Sequence, residues 1–386
     1  MFDCTIVTDV AGAAAVGPEW RDLLARSSAS ANGLALTPEW LLTWWREFGG
    51  MGGRQLRLAL VRRGPRLVGL APLLLRSAWY PPGIPFRRLE FLGTGEPEGD
   101  SICSDYLNVL AERGAEAEVA AALAQAIVHR RLGAWDELYL TMMDGDDPMT
   151  AALAEALAAA GLATERRPID EAPYIPLPPT WDDYLQRLDR KKRYLVRHSQ
   201  SDFDQWAGHD WDLEWATTAE ALARGKQSLM ALHQDRWEGK GTFRSERFLR
   251  FHDTVMDWRL REGGLELLTL YARGEPVAAL YSLVWDGKVY FYQCGRKRDV
   301  PKHIRPGGVL LGLAIRRAIE AGRREFDFLG GVATYKKQLA LATRPLILLR
   351  TARPSLRERV RLLAEYGRAP ARWVKRTLRW MFGFRS

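Results

Sequence analysis

The chain has 386 residues, of which 47% are hydrophobic and 27% are charged, a composition typical of globular proteins and a length that suits two domains. No segment approaches the roughly 18 uninterrupted apolar residues of a membrane-spanning helix, and the N-terminus has no basic region followed by an apolar core. The cysteines Cys4, Cys103 and Cys294 form no CxxC pair, so we expect reduced thiols and no bound metal. These features predict a cytoplasmic protein.

The formal net charge is +9, but it is concentrated at one end of the chain. Residues 353–385 contain ten Lys or Arg and two Glu, a net charge of +8, so the preceding residues are nearly neutral. A general nucleic-acid-binding protein would carry its excess charge more widely. The charge pattern therefore argues against nucleic acid as the main partner.

The first elements are predicted by their start signals and periodicity. An apolar strand at 2–7 precedes two helices that open with Pro-Glu-Trp at 18–20 and 38–40, and Thr37 is the expected N-cap of the second. Apolar alternation on both sides of the turn at Gly64 then predicts an antiparallel hairpin. Further elements are expected in chain order: strands at 89–92 and 106–110, a helix at 115–131, a strand at 137–140 and a helix at 148–160.

The proline-rich stretch 168–179 predicts an extended crossover, because proline fixes φ and disfavours helix in the residue before it. We place the domain boundary here. The predicted organisation is a first domain at 1–170, a second domain at 171–352 and a basic, amphipathic tail at 353–386.

The second domain repeats the plan of the first. The segment 274–280 mirrors 64–70 at a spacing of 210 residues, and a helix at 308–321 leads through Gly322 into a strand at 325–329, as the earlier helix does through Gly133. This self-similarity predicts two copies of one α/β unit. Hairpins followed by a single strand–helix–strand crossover indicate a mixed, largely antiparallel sheet in each copy, flanked by helices.

A predicted anion site opens the helix at 308–321. The helix follows Pro306-Gly307-Gly308, where the missing side chains let a ligand approach the first-turn amides. The basic loop before it carries Arg296, Lys302 and Arg305, which suit a pyrophosphate and a further phosphate. Coenzyme A carries both groups, although the same letters also occur in ordinary turns.

A tyrosine follows the strand at 325–329. Tyr335 lies beyond a glycine-bearing loop at 330–331, and its hydroxyl could protonate a departing thiolate. Packing of the loop is the structural alternative for this side chain.

Several motifs together resemble the CelD/BcsL group of acetyltransferases of the GNAT fold, which is named for cellulose biosynthesis. The similar segments are 306–311, Gly322, 326–331, 335–336, the His-x-x-Arg-Trp block within 232–243, and in the first half 38–40, 44–45, 91–93 and 104–106. The resemblance covers most of residues 1–350. It implies a tandem GNAT fold related to the Fem peptidyltransferases, and acyl transfer from acetyl-CoA or another acyl-CoA.

Further site residues are assigned on these segments. His233 is a candidate general base, and Asp327, which alternates with Phe326 and Phe328, is a second. The candidate acceptor-binding residues are Arg236, Trp237, Gln293 and Lys336. For both His233 and Asp327 a structural role is the alternative.

Three functions remain open on the sequence. The first is acyl transfer to an amine or hydroxyl of a small molecule, sugar or peptide, in exopolysaccharide, cellulose or cell-envelope biosynthesis. The second is a Fem-like ligase that uses aminoacyl-tRNA, because Arg305-Pro306-Gly307-Gly308 is shorter than the usual GNAT pyrophosphate loop. The third is a non-catalytic accessory of a polysaccharide synthase.

Two basic segments bear on these alternatives. The predicted helix 189–197 is either solvated surface or the lining of a groove for an anionic acceptor or RNA. In the tail, 371–382 forms a basic amphipathic pattern with two tryptophans, which suits either the inner face of an anionic membrane or docking on the protein itself.

Overall fold

The computed structural model describes residues 2–236, 238, 241–331 and 333–366. The first half contains these strands and helices: β1 Phe2–Val7, α1 Val10–Ala15, α2 Gly17–Arg26, α3 Pro38–Phe48, β2 Gln55–Arg63, β3 Arg66–Tyr80, β4 Ile84–Phe91, β5 Leu110–Ala111, α4 Glu116–Val128, β6 Glu137–Asp144 and α5 Pro148–Ala159. Short 3₁₀ segments lie at Ser28–Leu36 and Glu98–Asp100.

The second half continues with β7 Thr164–Pro176, α6 Trp181–Arg187, α7 Arg190–Ala207, β8 Trp211–Trp215, α8 Ala219–Arg236, α9 Glu246–Arg261, β9 Leu265–Ala272, β10 Glu275–Trp285, β11 Lys288–Arg296, α10 Pro306–Glu320, β12 Glu325–Asp327, α11 Thr334–Leu339, β13 Ala342–Ala352 and α12 Leu356–Tyr366. A third 3₁₀ segment lies at Thr242–Arg244.

Local signals account for most element starts. The Thr37 hydroxyl accepts a hydrogen bond from the Trp40 amide at 3.2 Å, which confirms the predicted N-cap of α3. Asp189 caps α7 in the same way through the Lys192 amide at 2.9 Å. The hairpin turns at Gly64 and Gly274 both have positive φ, 61° and 75°, so glycine is favoured at the two equivalent positions.

The duplicated plan is visible in the strand order. Within the described residues one mixed sheet runs β1-β2-β3-β4-β6-β13-β7-β12-β11-β10-β9-β8, with β5 beside β3. In each half one pair is parallel and is connected through a helix: β4 with β6, and β11 with β12. The other pairings along the order are antiparallel, so the prediction of a tandem, mixed and largely antiparallel α/β fold is confirmed.

The two halves exchange strands at the centre of the sheet. The strand β7 follows the first half in sequence but pairs with β12 of the second, whereas β13 from the second half pairs with β6 of the first. The two exchanged strands also pair with each other. The extended conformation predicted for the proline-rich stretch is therefore correct, and the proposed boundary at 170 falls inside β7.

One predicted strand, at 106–110, is much shorter in the structure. Residues 106–109 are not in a strand, which is confined to Leu110–Ala111. The apolar residues here, Leu107 and Val109, are buried because the segment packs inside the molecule. Tyr106 has a φ of 63°, which does not fit a strand. Burial of a loop thus produced the alternation that predicted a strand.

The sheet of the second half is buried on both faces. Along β10, Ala279, Tyr281 and Leu283 belong to a core that extends through the first half. The alternate residues Ala278 and Leu280 belong to a separate core formed with α7 and α10. Helices on both faces leave the ends and gaps of the sheet as the accessible places for a ligand.

Candidate active site

A gap opens where β11 and β12 separate. Their parallel pairing covers Lys288 to Tyr290, yet β11 continues to Arg296 while β12 ends at Asp327. The last residues of β11 therefore have no strand neighbour on that side. Two cavities lie around this part of β11.

The first, which we call the basic cavity, has a volume of about 410 Å³. It brings together all five residues predicted for the acyl donor: Arg296, Lys302, Arg305, Gly307 and Gly308. Apolar side chains cover the opposite part of its wall, among them Leu280, Ile304, Leu310 and Leu311. A cavity of this size with an apolar wall and a few charged groups is typical of a small-molecule site.

The N-terminus of α10 faces this cavity. Arg305 occupies the N-cap position without making a side-chain cap, and the Gly307 N–H has no hydrogen-bond acceptor among the described residues. A Cβ added at Gly308 would lie 3.7 Å from Arg305 Cβ, its nearest neighbour, so protein packing does not require a glycine. An open helix start beside three cationic side chains is suited to a phosphate group.

The second, which we call the acidic cavity, has a volume of about 600 Å³ and lies between the two halves. Three carboxylate side chains line it: Glu96, Asp105 and Asp170. The predicted acceptor residues Arg236, Gln293 and Lys336 also line it. The cavity is thus built from the loop after β4 in the first half and from β11 and α11 in the second.

The two cavities adjoin each other. Both are lined by Arg236, Phe291, Cys294 and Tyr335. The Arg236 guanidinium donates a hydrogen bond to Cys294 Sγ at 2.8 Å and lies 6.0 Å from the centroid of the Tyr335 ring. A group held at this junction would be accessible from both sides.

Burial sets the protonation state of the two titratable groups at the junction. It raises the pKa of Tyr335, an effect strengthened by Cys294 and opposed by Arg236. It also raises the pKa of Cys294, against the effect of Arg236. Both side chains are therefore neutral proton donors at physiological pH.

Asp105 is the most constrained carboxylate of the acidic cavity. It is 5% exposed, and its Oδ2 accepts a hydrogen bond from the Gly330 amide at 2.6 Å. Among the described residues no other donor reaches this carboxylate, and Oδ1 has no partner. Burial raises its pKa to about 7, with the Gly330 amide opposing the shift.

The backbone around Asp105 is strained. Cys103 and Tyr106 have φ values of 52° and 63°, in the left-handed region that non-glycine residues rarely adopt. Across the cavity, Lys336 Nζ donates to the carbonyl oxygens of Leu329 and Gly330 at 3.2 Å and 2.7 Å. Lys336 thereby fixes the same loop whose amide binds Asp105.

His233 lines neither cavity. It is 2% exposed and packs against Phe243 with ring centroids 4.7 Å apart. A Cβ at Gly241 would lie 2.1 Å from its ring, so the glycine is needed for this packing. Burial, and then Arg236, lower the pKa of His233 to about 4. This setting favours a structural role for the histidine.

Asp327 also lines neither cavity. It is fully buried, and its Oδ2 lies 2.5 Å from Lys288 Nζ and 2.6 Å from the Tyr106 hydroxyl. Its Oδ1 accepts the Leu329 amide at 2.6 Å. Burial alone would raise the pKa of Asp327, but the Lys288 ammonium outweighs it and lowers that pKa. Both carboxylate oxygens of Asp327 thus take part in a buried network of hydrogen bonds and ion pairs. Trp237, which was predicted to bind the acceptor, lies outside the described residues.

The sequence analysis assigned no role to Glu96, Asp105 or Asp170. Asp105 belongs to the matching segment 104–106, but it lies 230 residues from Tyr335 in the chain. No spacing rule connects a loop of one domain with a site in the other. The available signal was a carboxylate in a short segment bounded by the apolar residues Ile102 and Leu107.

Two absences hold for the part of the chain that the structure describes. No group of three or more His, Cys, Asp or Glu side chains is arranged to hold a metal ion. No helix in the same residues has both the length and the apolar character needed to span a membrane.

Comparisons with known proteins agree with this architecture. Residues 190–337 match the model of the acetyltransferase (GNAT) domain family, Acetyltransf_6. A search of curated protein sequences gave no significant match. The crystal structure of FemX superimposes with a TM-score of 0.53 at 12% identity, over 80% of this chain and 90% of that one.

A conserved protein of unknown function from Bacteroides thetaiotaomicron superimposes with a TM-score of 0.52 at 12% identity, covering 90% of this chain and all of that one. At such identities the likeness concerns the fold alone. The chain thus has the GNAT fold, and the segment that matches the acetyltransferase (GNAT) domain contains β11, α10 and the gap beside them.

Proposed function

We propose that the protein transfers an acyl group from an acyl-CoA to an amine. The observation that carries this proposal is the junction of a basic cavity and an acidic cavity at Tyr335. An acyl transferase must hold a donor and an acceptor so that they meet at one point, and the shared lining provides such a point.

The basic cavity suits the donor. The cationic side chains Arg296, Lys302 and Arg305 would bind the phosphates of coenzyme A, together with the free Gly307 amide. The apolar wall beyond them would cover the pantetheine arm. The thioester would then lie at Cys294 and Tyr335, where the two cavities meet.

The acidic cavity suits a cationic acceptor. Three carboxylates line it against the two cations Arg236 and Lys336, so acidic groups are in excess and an ammonium group would gain more from the cavity than a neutral alcohol. Asp105 would accept the proton of the ammonium as the free amine forms. The amine nitrogen then forms a bond with the thioester carbonyl carbon, the carbon–sulfur bond breaks, and the departing thiolate takes a proton from the Tyr335 hydroxyl. The excess proton of the new amide nitrogen restores the Tyr335 hydroxyl, and Asp105 releases the proton of the ammonium to solvent.

The donor assignment is tested by calorimetric titration of acetyl-CoA. Arg305→Ala should weaken binding at least about ten-fold, because it removes one charged contact to a phosphate. The matched control is Arg316→Ala on the same helix, whose exposed side chain pairs with Glu320 at 2.8 Å away from the cavity. Equal affinities in the two variants would refute the assignment.

The acceptor assignment is tested with matched primary amines and alcohols of the same carbon skeleton in a thiol-release assay. Only the amines should release free CoA thiol. Asp105→Asn should lower kcat about 100-fold, while Asp170→Asn, which removes a charge from the same cavity, should mainly raise KM. Equal turnover of amines and alcohols would contradict the selection of a cation.

A second candidate function is the use of aminoacyl-tRNA as donor. One observation favours it: α7, whose first turns carry Arg190, Lys191, Lys192 and Arg193, also supplies Leu195 to the wall of the basic cavity. A basic surface therefore continues outward from the cavity. This alternative requires tRNA binding that weakens steeply with salt, and filter binding between 50 and 200 mM salt would detect it.

The wider role follows from the resemblance to the CelD/BcsL group. On that ground we infer an acceptor from exopolysaccharide, cellulose or cell-envelope biosynthesis, with the reaction in the cytoplasm or at the inner face of the membrane. A non-catalytic accessory role is less well supported, because Tyr335 lines both cavities. Absence of thiol release with every amine tested, despite CoA binding, would favour that accessory role.

A further inference from the structure

Helix α12 presents an unusual surface. Eight large apolar side chains are exposed among the described residues, and four of them lie on this one helix: Leu356, Val360, Leu362 and Leu363. Leu356 and Leu363 are 76% and 73% exposed. A soluble amphipathic helix normally turns its apolar side toward the core, so this orientation calls for a cause.

Ion pairs on the opposite side of α12 hold it in this orientation. Arg361 is 7% exposed and donates hydrogen bonds to Glu358 at 2.8 Å and 2.9 Å. Glu358 also accepts two hydrogen bonds from Arg350 of β13, at 2.9 Å and 2.8 Å. Arg350 in turn binds the buried Glu137 of β6 at 2.9 Å. The charged side of the helix is therefore attached to the sheet.

This attachment persists over the physiological pH range. Burial alone would raise the pKa of Glu358, but the hydrogen bonds from Arg361 and Arg350 outweigh it and lower that pKa to about 2. Glu358 is thus ionised throughout the physiological pH range. The helix cannot roll its apolar side inward without breaking these buried pairs.

The apolar side of α12 is narrow and bordered by arginine. At 100° per residue, Leu356, Val360 and Leu363 fall within a sector of about 60°. Arg359 lies on one border of this sector and Arg357 on the other, and both are exposed. Leucines between long cationic side chains are the pattern of helices that lie in the headgroup region of a bilayer.

The sequence that follows has the same chemistry. Residues 367–386 contain six Lys or Arg, no Asp or Glu, and the aromatic residues Trp373, Trp380, Phe382 and Phe384. Both acids of the preceding helix are already paired with Arg361, at 2.8 Å for Glu358 and 2.6 Å for Glu365. The two acids of α12 are therefore compensated within the helix, and the sequence after it adds cations without acids.

We propose that the exposed side of α12 docks on an anionic lipid surface. Such a surface matches both kinds of side chain: the leucines would enter the apolar layer below the headgroups, and the arginines would contact the negatively charged headgroups. The basic and acidic cavities take no part in this contact, so the proposal is independent of the acyl-transfer assignment.

Co-sedimentation of the full chain with vesicles tests the proposal. Vesicles containing about one-third phosphatidylglycerol should bind the protein at low salt, and vesicles of phosphatidylcholine alone should bind it at least about ten-fold more weakly. The double variant Leu356→Ser/Leu363→Ser should lower the partition coefficient on anionic vesicles about ten-fold or more. Both positions are exposed, so the fold should be retained, as circular dichroism would verify.

The matched control is Val10→Ser/Trp79→Ser, which removes two exposed apolar side chains elsewhere and should bind like the wild type. Equal binding of the α12 variant and this control would overturn the proposal, as would failure of the wild type to sediment with anionic vesicles. Sedimentation velocity tests whether a second copy of the chain binds this surface instead. A wild-type dimer that is absent in the α12 variant, together with no vesicle binding, would identify such a self-association.

Discussion

Replacing Lys288 by methionine should destabilise the protein strongly. The ammonium group is fully buried and lies 2.5 Å from Asp327 Oδ2, 3.0 Å from Glu325 Oε1 and 2.7 Å from Asn32 Oδ1. Methionine fills a similar volume but leaves two buried carboxylates short of a cation. Removing one partner of a buried ion pair generally lowers the free energy of unfolding by about 3–5 kcal/mol, and we expect a loss of that size here.

A second cation reduces this loss. Arg344 lies 3.1 Å from Glu325 and 3.4 Å from Asp327, so it continues to compensate part of the negative charge. We therefore expect the lower end of the range, about 3 kcal/mol. Domains of ordinary stability unfold with about 5–15 kcal/mol, so the loss would be easily measured.

Urea unfolding at pH 7, followed by tryptophan fluorescence, would measure the difference. The matched control is Lys297→Met, which removes the same atoms from an exposed pair with Glu275 at 2.6 Å and should cost less than about 1 kcal/mol. The double variant Lys288→Met/Asp327→Asn should recover part of the loss, because it removes the uncompensated charge. Equal midpoints for Lys288→Met and Lys297→Met would refute the reasoning.

Three further predictions concern protonation. Tyr335→Phe should lower kcat about 10- to 1,000-fold with acetyl-CoA binding retained, as steady-state thiol release would show. The kcat/KM of the wild type should fall as pH drops below about 7, where Asp105 becomes protonated, and Asp105→Asn should lack this limb. Burial lowers the pKa of His252 in the folded protein to about 3. Between this pH and the ordinary pKa of histidine, the side chain therefore binds a proton only in the unfolded chain. Between pH 7.5 and 5 the wild type should therefore lose about 2 kcal/mol more stability than His252→Gln in urea unfolding.

Regular elements were predictable from the sequence because their signals are local. The N-cap at Thr37, the glycine turns at Gly64 and Gly274 and the helix start at Pro306 each depend on a few neighbouring residues. The basic cavity was predictable for the same reason, since its charged residues lie on one loop and one helix start. Local chemistry thus identified one of the two cavities.

The acidic cavity could not be predicted in this way. Asp105 and Lys336 come from different halves, and only the exchange of β7 and β13 brings those halves into one sheet. The strand predicted at 106–110 shows the same limit, because burial between the halves imitates the alternation of a strand. The domain boundary at 170 stays a prediction, and it falls within an exchanged strand.

The exchange of β7 and β13 between the halves bears on which part of the chain the proposed reaction needs. If the second half alone performed acyl transfer, the first half would be dispensable, yet it supplies the Asp105 loop and the strand β6 on which β13 pairs. Lys288 and Asp327 of the second half are further joined to Asn32 and Tyr106 of the first. A cut at 170 would break β7 and remove the hydrogen bonds that Lys288 and Asp327 form with Asn32 and Tyr106. The proposed reaction would therefore require the whole tandem fold, with the donor bound by one copy and the acceptor bound between the two.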